Sequence, residues 1–299
     1  MINSVTRKDK IRQWFNEHFG RNVPDRIFHI INNLVWILFG FVALYPFLYV
    51  IVKSLEVYDV SQGAMRVTYS LSAYKAILSD GGIVWAFFFS IFVVLVSTAA
   101  TLVVTYMCAY AMSKTYMKGR GLLMTFILIP MFFSGGLIPS YILIGSLGLK
   151  NNVLVYILPS LVGTFNILIV KNFIQGLPQS LEEAAMIDGA GHLKVMTQIF
   201  LPLSAPIIAT IALWCAVGKW NDWMTGLLYV KDEKLYLMQN YLRVLLNFES
   251  GASQNPDIMF KSESVLMASI VVGIAPIIAS FPFVQKHFIK GAILGSVKG

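Results

Sequence analysis

The sequence predicts an all-α polytopic membrane protein with six transmembrane helices. Three observations carry this reading. The 299 residues are 57% hydrophobic and only 13% charged, with a mean hydropathy of +0.70, whereas a soluble domain averages about 25% charged. Six apolar runs, roughly 27–52, 83–112, 121–144, 153–175, 199–223 and 264–288, each approach the ~20 residues a bilayer crossing needs. Between the fourth and fifth lies the stretch Pro178 to Pro206, whose first half carries Glu182, Glu183, Asp188, His192 and Lys194. Such a loop belongs in water or against another protein, and it reads as a docking element on the cytoplasmic face.

The tail, residues 1–26, carries Arg7, Lys8, Lys10, Arg12, Arg21 and Arg26, with Ile11, Trp14, Phe15 and Phe19 at helical spacing. This pattern predicts a short amphipathic helix on the membrane surface. A formal net charge of +8 is a level seen in nucleic-acid binders, but here the basic residues gather at the ends of apolar runs, as topology requires. No nucleic-acid partner is therefore expected; the bilayer is. Lys114, Lys118 and Arg120 follow the second run, and Lys286, Lys290 and Lys298 close the chain. This bias places both termini and the Pro178 loop in the cytoplasm, in agreement with an even number of spans. The first apolar run is too long for a signal core and lacks a small-residue cleavage site. Cys108 and Cys215 fall inside apolar runs and read as buried thiols with no metal spacing.

Two long segments face the other side. Residues 53–82 contain Gly63, Gly81 and Gly82 with mixed charge. Residues 224–263 include Leu235, Met238, Leu242 and Leu245 on one helical face, followed by ESGASQNPD, which reads as an exposed turn. Pro46, Pro130, Pro139, Pro159, Pro202, Pro206, Pro276 and Pro282 lie in or beside the spans, and Gly135-Gly136 interrupts the third. These breaks read as ordinary kinks or as the shaping of a central cavity that opens to alternate sides. Asn166 is the least easily dismissed polar residue within the spans, because an amide in hydrocarbon should face the bundle or a cavity. Lys219-Trp220-Asn221-Asp222-Trp223 ends the fifth span. Aromatics there form an interfacial belt or, with Asn221 and Asp222, a sugar-contacting cluster. Asn166, Trp220, Asn221, Asp222 and Trp223 are thus the candidate substrate path.

Within the Pro178 loop, Ser180 and Glu183 are spaced as a capping box that would start a helix at about Leu181. Gly189 and Gly191 would end it. Glu183-Ala184-Ala185, then Gly189, Ile199 and Leu201-Pro202 are similar, without a gap, to the loop motif of ABC importer permeases, and Asp188-Gly189-Ala190 matches its fuller form. The chain resembles the type I carbohydrate family, on the side of the subunit similar to the maltose permease's G subunit. MFFSGGLIPSYILIGSLGLKNN and KWNDWMTGLLY resemble the branch that handles alginate- or pectin-derived oligosaccharides.

The resemblance implies the type I ABC importer permease fold. It also implies a permease domain over 84–290, with a coupling loop at 178–202, after the tail (1–26) and the first span with its outer loop (27–83), and before a cytoplasmic C-terminus at 291–299. Glu183, Ala184, Ala185, Asp188 and Gly189 would then couple to a dimeric cytoplasmic ATPase, with Glu183 pairing a basic group. A second homologous permease, an external solute-binding protein and an oligosaccharide complete the implied partners, in a bacterial inner membrane. The sequence has no G-x-x-x-x-G-K-[ST], so no cofactor is expected on this chain; ATP and Mg would sit on the ATPase. Competing readings are an ABC permease for peptide, amino acid or anion, and a secondary carrier, which would need carboxylates within the spans. A membrane enzyme is disfavoured, because no H-E-x-x-H or G-x-S-x-G occurs.

Overall fold

The computed structural model describes residues 23–59, 66–251 and 263–280. The expected amphipathic tail helix, the turn beyond Gly251 and the C-terminus lie outside the described residues. Helix α1 (Val23–Leu55) leads into a hairpin of β1 (Glu56–Asp59) and β2 (Arg66–Tyr69), then α2 (Ser72–Ser79) and α3 (Gly81–Ser113). The hairpin is antiparallel, with Glu56 opposite Tyr69 and Val57 opposite Thr68. It falls where the sequence predicts only a loop. Its runs EVYD and RVTY hold β-branched and aromatic residues that favour an extended chain, but four-residue strands are too short to announce themselves.

The rest is helical. The bundle continues through α4 (Arg120–Phe132), α5 (Leu137–Ser146), α6 (Leu154–Ser160) and α7 (Thr164–Gln175). Next come α8 (Ser180–Ile187), α9 (His192–Leu203), α10 (Ala205–Trp220), α11 (Trp223–Tyr229), α12 (Met238–Gly251) and α13 (Glu263–Ser280). Among the described residues, α1, α3 and α13 are each long and apolar enough to cross a membrane. Three bent pairs bring the total to six: α4 with α5 at 118°, α6 with α7 at 50°, and α9 with α10 at 79°. Each bend sits where the chain gives up helix bonds. Gly135-Gly136 separates α4 from α5, and Gly136 has φ +86°, a backbone state open to glycine. Ser204 separates α9 from α10, with Pro202 and Pro206 on either side, neither of which can donate to a helix ladder.

Helix α3 is the mast of the bundle and packs mainly against α7 and α10. In hydrocarbon, helices associate through close packing and buried polar bonds rather than the hydrophobic effect, and the core shows both. At one end Tyr106, Ala109 and Tyr110 of α3 meet Ile167, Val170 and Ile174 of α7, Val195 and Phe200 of α9, and Ile211 of α10. At the opposite end Ala73, Ile77 and Ile83 meet Met238, Leu242 and Ala268. The apolar face predicted around Leu242 thus turns inward. Its helix begins at Met238; Leu235 belongs to a preceding 3-10 turn. Ser90 Oγ accepts the Met238 N–H at 2.7 Å, and the Trp85 indole donates to the Lys234 carbonyl at 2.7 Å, fixing α12 to α3. Gly226 of α11 backs onto the Asn240 amide, where a Cβ would not fit.

Helix α1 stands apart. None of its most apolar window is buried, so its faces meet lipid or another protein. It is tied near its end, where Ser54 Oγ and Tyr74 Oη share a bond at 2.7 Å.

Candidate functional site: an anchored loop and two cavities

Helix α8 lies at the end of the bundle where α3 and α7 finish. Its start differs from the sequence expectation. Gln179 already has helical φ/ψ (−67°, −26°), and its carbonyl accepts from Glu182 N at 2.9 Å and Glu183 N at 3.1 Å. The first turn therefore begins on Pro178, whose fixed φ suits a helix start and whose missing N–H is not needed there. Ser180 lies inside the helix and the Ser180–Glu183 capping box is not formed. Its end is as predicted: Gly189 has φ +79°, Ala190 N donates to Ala185 O at 2.9 Å, and Gly189 N to Met186 O at 3.0 Å. This is a Schellman closure. Gly189→Ala is expected to cost about 1–2 kcal/mol at this turn, since an L side chain resists positive φ and no neighbour crowds the site. Faster hydrogen exchange across α8, with the spans unchanged, would show it.

Successive residues on a helix point about 100° apart, and that offset separates the two glutamates. Glu182 faces the bundle and is 9% exposed; Glu183 is exposed and has no partner among the described residues. Glu182 Oε2 accepts from Lys114 Nζ at 2.5 Å, and Oε1 accepts from Tyr116 Oη at 3.1 Å. Lys114, 8% exposed, sits 4.3 Å from the ring centroids of both Tyr110 and Phe200. One ammonium thus joins the end of α3 to α8 and α9. Desolvation and the Glu182 carboxylate push the Tyr116 phenol up, so it remains a donor. His192 is exposed, with its Nδ1 3.4 Å from the same hydroxyl. Gln175 Nε2 donates to Ser113 O at 3.2 Å. A cleft of about 210 Å³ between Lys114, Gln175, Glu182 and Phe200 lies beneath the helix.

The following helix is wound as a π-helix over Val195–Phe200. Such widened turns leave carbonyls out of the usual ladder, and Tyr106 Oη donates to Met196 O at 2.8 Å. The outward side of the loop is apolar as well as charged. Ala185 packs on the core, while Leu181, Glu183, Ala184, Asp188 and Leu193 are exposed and Ile187 is 86% exposed.

The five candidate path residues do not form one cluster. Asn166 lines a small cavity with Ser97, Thr101, Ser160, Cys215 and Lys219, and its amide reaches Cys215 Sγ at 3.5 Å. Asp222 pairs with Lys219 at 3.0 Å and caps α11 through Thr225 N at 3.1 Å. Trp220 is 5% exposed, donates to Gly273 O at 2.9 Å and meets Phe87 edge-on. Asn221 and Trp223 open instead on a second cavity of about 380 Å³, shared with Gln239 and Arg243 of α12. Sequence reasoning missed Lys114, Glu182, Gln239 and Arg243. Glu182 shares the inward side of α8 with Ala185, which packs on the core although the sequence reading turned it toward a partner.

Interrupted apolar helices long enough to cross a membrane, with a charged loop pinned to the ends of the bundle, mark a polytopic membrane protein. The chain belongs to the family described as binding-protein-dependent transport system inner membrane component, whose model matches residues 102–293. It is a permease subunit of an ABC importer. Protein LplC of Bacillus subtilis is 40% identical over 282 residues, covering 92% of this chain and 96% of that protein. The polygalacturonan/rhamnogalacturonan transport system permease protein YtcP of the same organism is 38% identical over 286 residues, covering 93% and 100%. A crystal structure of a bacterial ABC transporter involved in the import of the acidic polysaccharide alginate matches with a TM-score of 0.78 at 29% identity, covering 89% of this chain and 98% of that one.

Proposed function

We propose that this chain forms, with a second homologous permease, the translocation path for an oligosaccharide handed over by an external binding protein, and that a dimeric cytoplasmic ATPase drives it. The carrying observation is the two-sided coupling helix. Its inner carboxylate is locked to Lys114, while Glu183, Ala184, Asp188 and the exposed Ile187 are offered outward. Together with the exposed Leu181 and Leu193, Ile187 gives this loop an apolar surface suited to a protein cleft. Motion of an ATPase gripping this face would pass through the Lys114–Glu182 pair into α3 and through Phe200 into α9, and so into the spans. Both termini then lie on the cytoplasmic side with α8. ATP and Mg belong to the ATPase. The oligosaccharide cargo is supported by the relatives' own substrates, polygalacturonan/rhamnogalacturonan and alginate.

Glu183 is the outward charge, and Glu183→Gln keeps its shape. In proteoliposomes carrying the assembled transporter, this variant is expected to reduce transport about tenfold or more, since charge-assisted contacts contribute ~1.5–3 kcal/mol. Wild-type uptake and normal ATPase coupling would refute a charged contact at that position.

A further inference from the structure

We infer that the cavity between the end of α10, α12 and α13 is a carboxylate subsite, taking the uronate group of an acidic sugar, with Arg243 as the residue that reads it. This deepens the proposed transport of an oligosaccharide and rests on that reading. Arg243 is half-buried, and its guanidinium carbon lies 4.1 Å from the centre of the Trp223 ring. It has no ion pair and no hydrogen bond among the described residues. Among the residues lining the cavity it is the one cation, and Lys219, at the end of α10, is already paired with Asp222 at 3.0 Å. A guanidinium partly withdrawn from water favours an anionic partner, and its place over the indole ring leaves its N–H edge without an acceptor among the described residues. That edge is the fork that matches a carboxylate through two parallel bonds.

The surroundings fit a sugar ring. The cavity, about 380 Å³, is within the range of small-ligand sites. Ile270 and Ile274 of α13 give it an apolar wall, and Asn221 and Gln239 bring two side-chain amides to its lining. Asn221 uses its Nδ2 on the Val217 carbonyl at 3.0 Å, which leaves its oxygen to accept from a hydroxyl. Trp223 is held from behind, because its carbonyl accepts the Asn240 amide at 2.7 Å. The platform under Arg243 is therefore built on two helices, α11 and α12.

The test uses the full chain assembled with its partner permease and ATPase in phosphatidylcholine nanodiscs, without the binding protein, so that selectivity belongs to the permease. Saturation-transfer NMR measures the binding of trigalacturonate, its methyl ester and neutral galactotriose. Wild type is expected to bind the acid about tenfold or more tightly than the ester. Arg243→Gln should abolish that difference, and Arg243→Lys, which keeps charge but not the fork, should retain part of it. Equal wild-type binding of acid and ester overturns the subsite but leaves oligosaccharide transport standing, and this comparison needs no variant. So does an Arg243→Gln loss that is the same for acid and ester, which marks a structural arginine. Loss of the acid preference on adding phosphatidylglycerol would assign the guanidinium to lipid headgroups and likewise overturn it. Binding of none of the three sugars would overturn the transport reading as well.

Discussion

Lys114→Met is expected to free helix α8 from the bundle while leaving the spans assembled. The substitution deletes the ammonium and strands the Glu182 carboxylate, which is 9% exposed and keeps only the Tyr116 hydroxyl at 3.1 Å. Removing one member of a buried pair costs about 3–5 kcal/mol, because the other charge stays out of water. The contacts of Lys114 with the Tyr110 and Phe200 rings are lost too. The cost falls on an eight-residue helix closed by a glycine turn, so local opening is the expected response. Amide exchange across α8 should accelerate at least a hundredfold. ATP hydrolysis by the assembled transporter should continue while transport falls.

The reciprocal change is milder. Glu182→Met leaves Lys114 between two aromatic faces, each worth about 0.5–2 kcal/mol to a cation, so part of the lost pairing is replaced. The double variant Lys114→Met/Glu182→Met should recover most of the protection, since replacing both members of a buried pair with apolar groups is often neutral. Equal exchange rates in Lys114→Met and the double variant would show that the ion pair does not anchor the loop.

Much of this architecture was readable because hydropathy is a strong signal over twenty residues. Four of the six spans fall within three residues of the predicted runs; the fifth begins seven residues earlier than predicted, at His192, and the sixth starts as predicted, with its expected end outside the described residues. The bends at Gly135-Gly136 and at Pro202–Pro206 were announced by residues that cannot sustain a helix. What escaped was set by contacts distant in sequence. Lys114 lies 68 positions from Glu182, and in a row of basic residues it reads as a topological charge. Glu183 drew attention through its motif, whereas its neighbour holds the helix in place. Arg243 stands in an amphipathic helix whose apolar face was evident, but its meeting with Trp223 depends on how α11 folds back against α12. The capping box failed for a local reason: Pro178 starts the turn earlier than Ser180 could.

The largest effect on stability is expected from Trp220→Ala, and it separates two tryptophans that the sequence presents as one cluster. Trp220 ends α10; Asn221 and Asp222 then turn the chain, so Trp223 begins a new helix facing elsewhere. The Trp220 indole fills space between α3, α10 and α13, with Phe87 5.8 Å away edge-on and the Gly273 carbonyl as its acceptor. Truncating a buried tryptophan costs about 3–5 kcal/mol through the cavity it leaves, and here the indole's bond to the Gly273 carbonyl is lost as well. The purified transporter should melt several degrees lower and retain α13 poorly against protease. Trp220→Phe keeps most of the packing and loses the bond, a change of ~1 kcal/mol. Trp223, 36% exposed, fills no such space. Trp223→Ala should leave the melting temperature within a degree and act on sugar binding, through the platform it provides for Arg243. A Trp220→Ala transporter that melts with the wild type yet loses uptake would place the indole on the substrate path instead, and with it the inward packing of α13 would have to be redrawn.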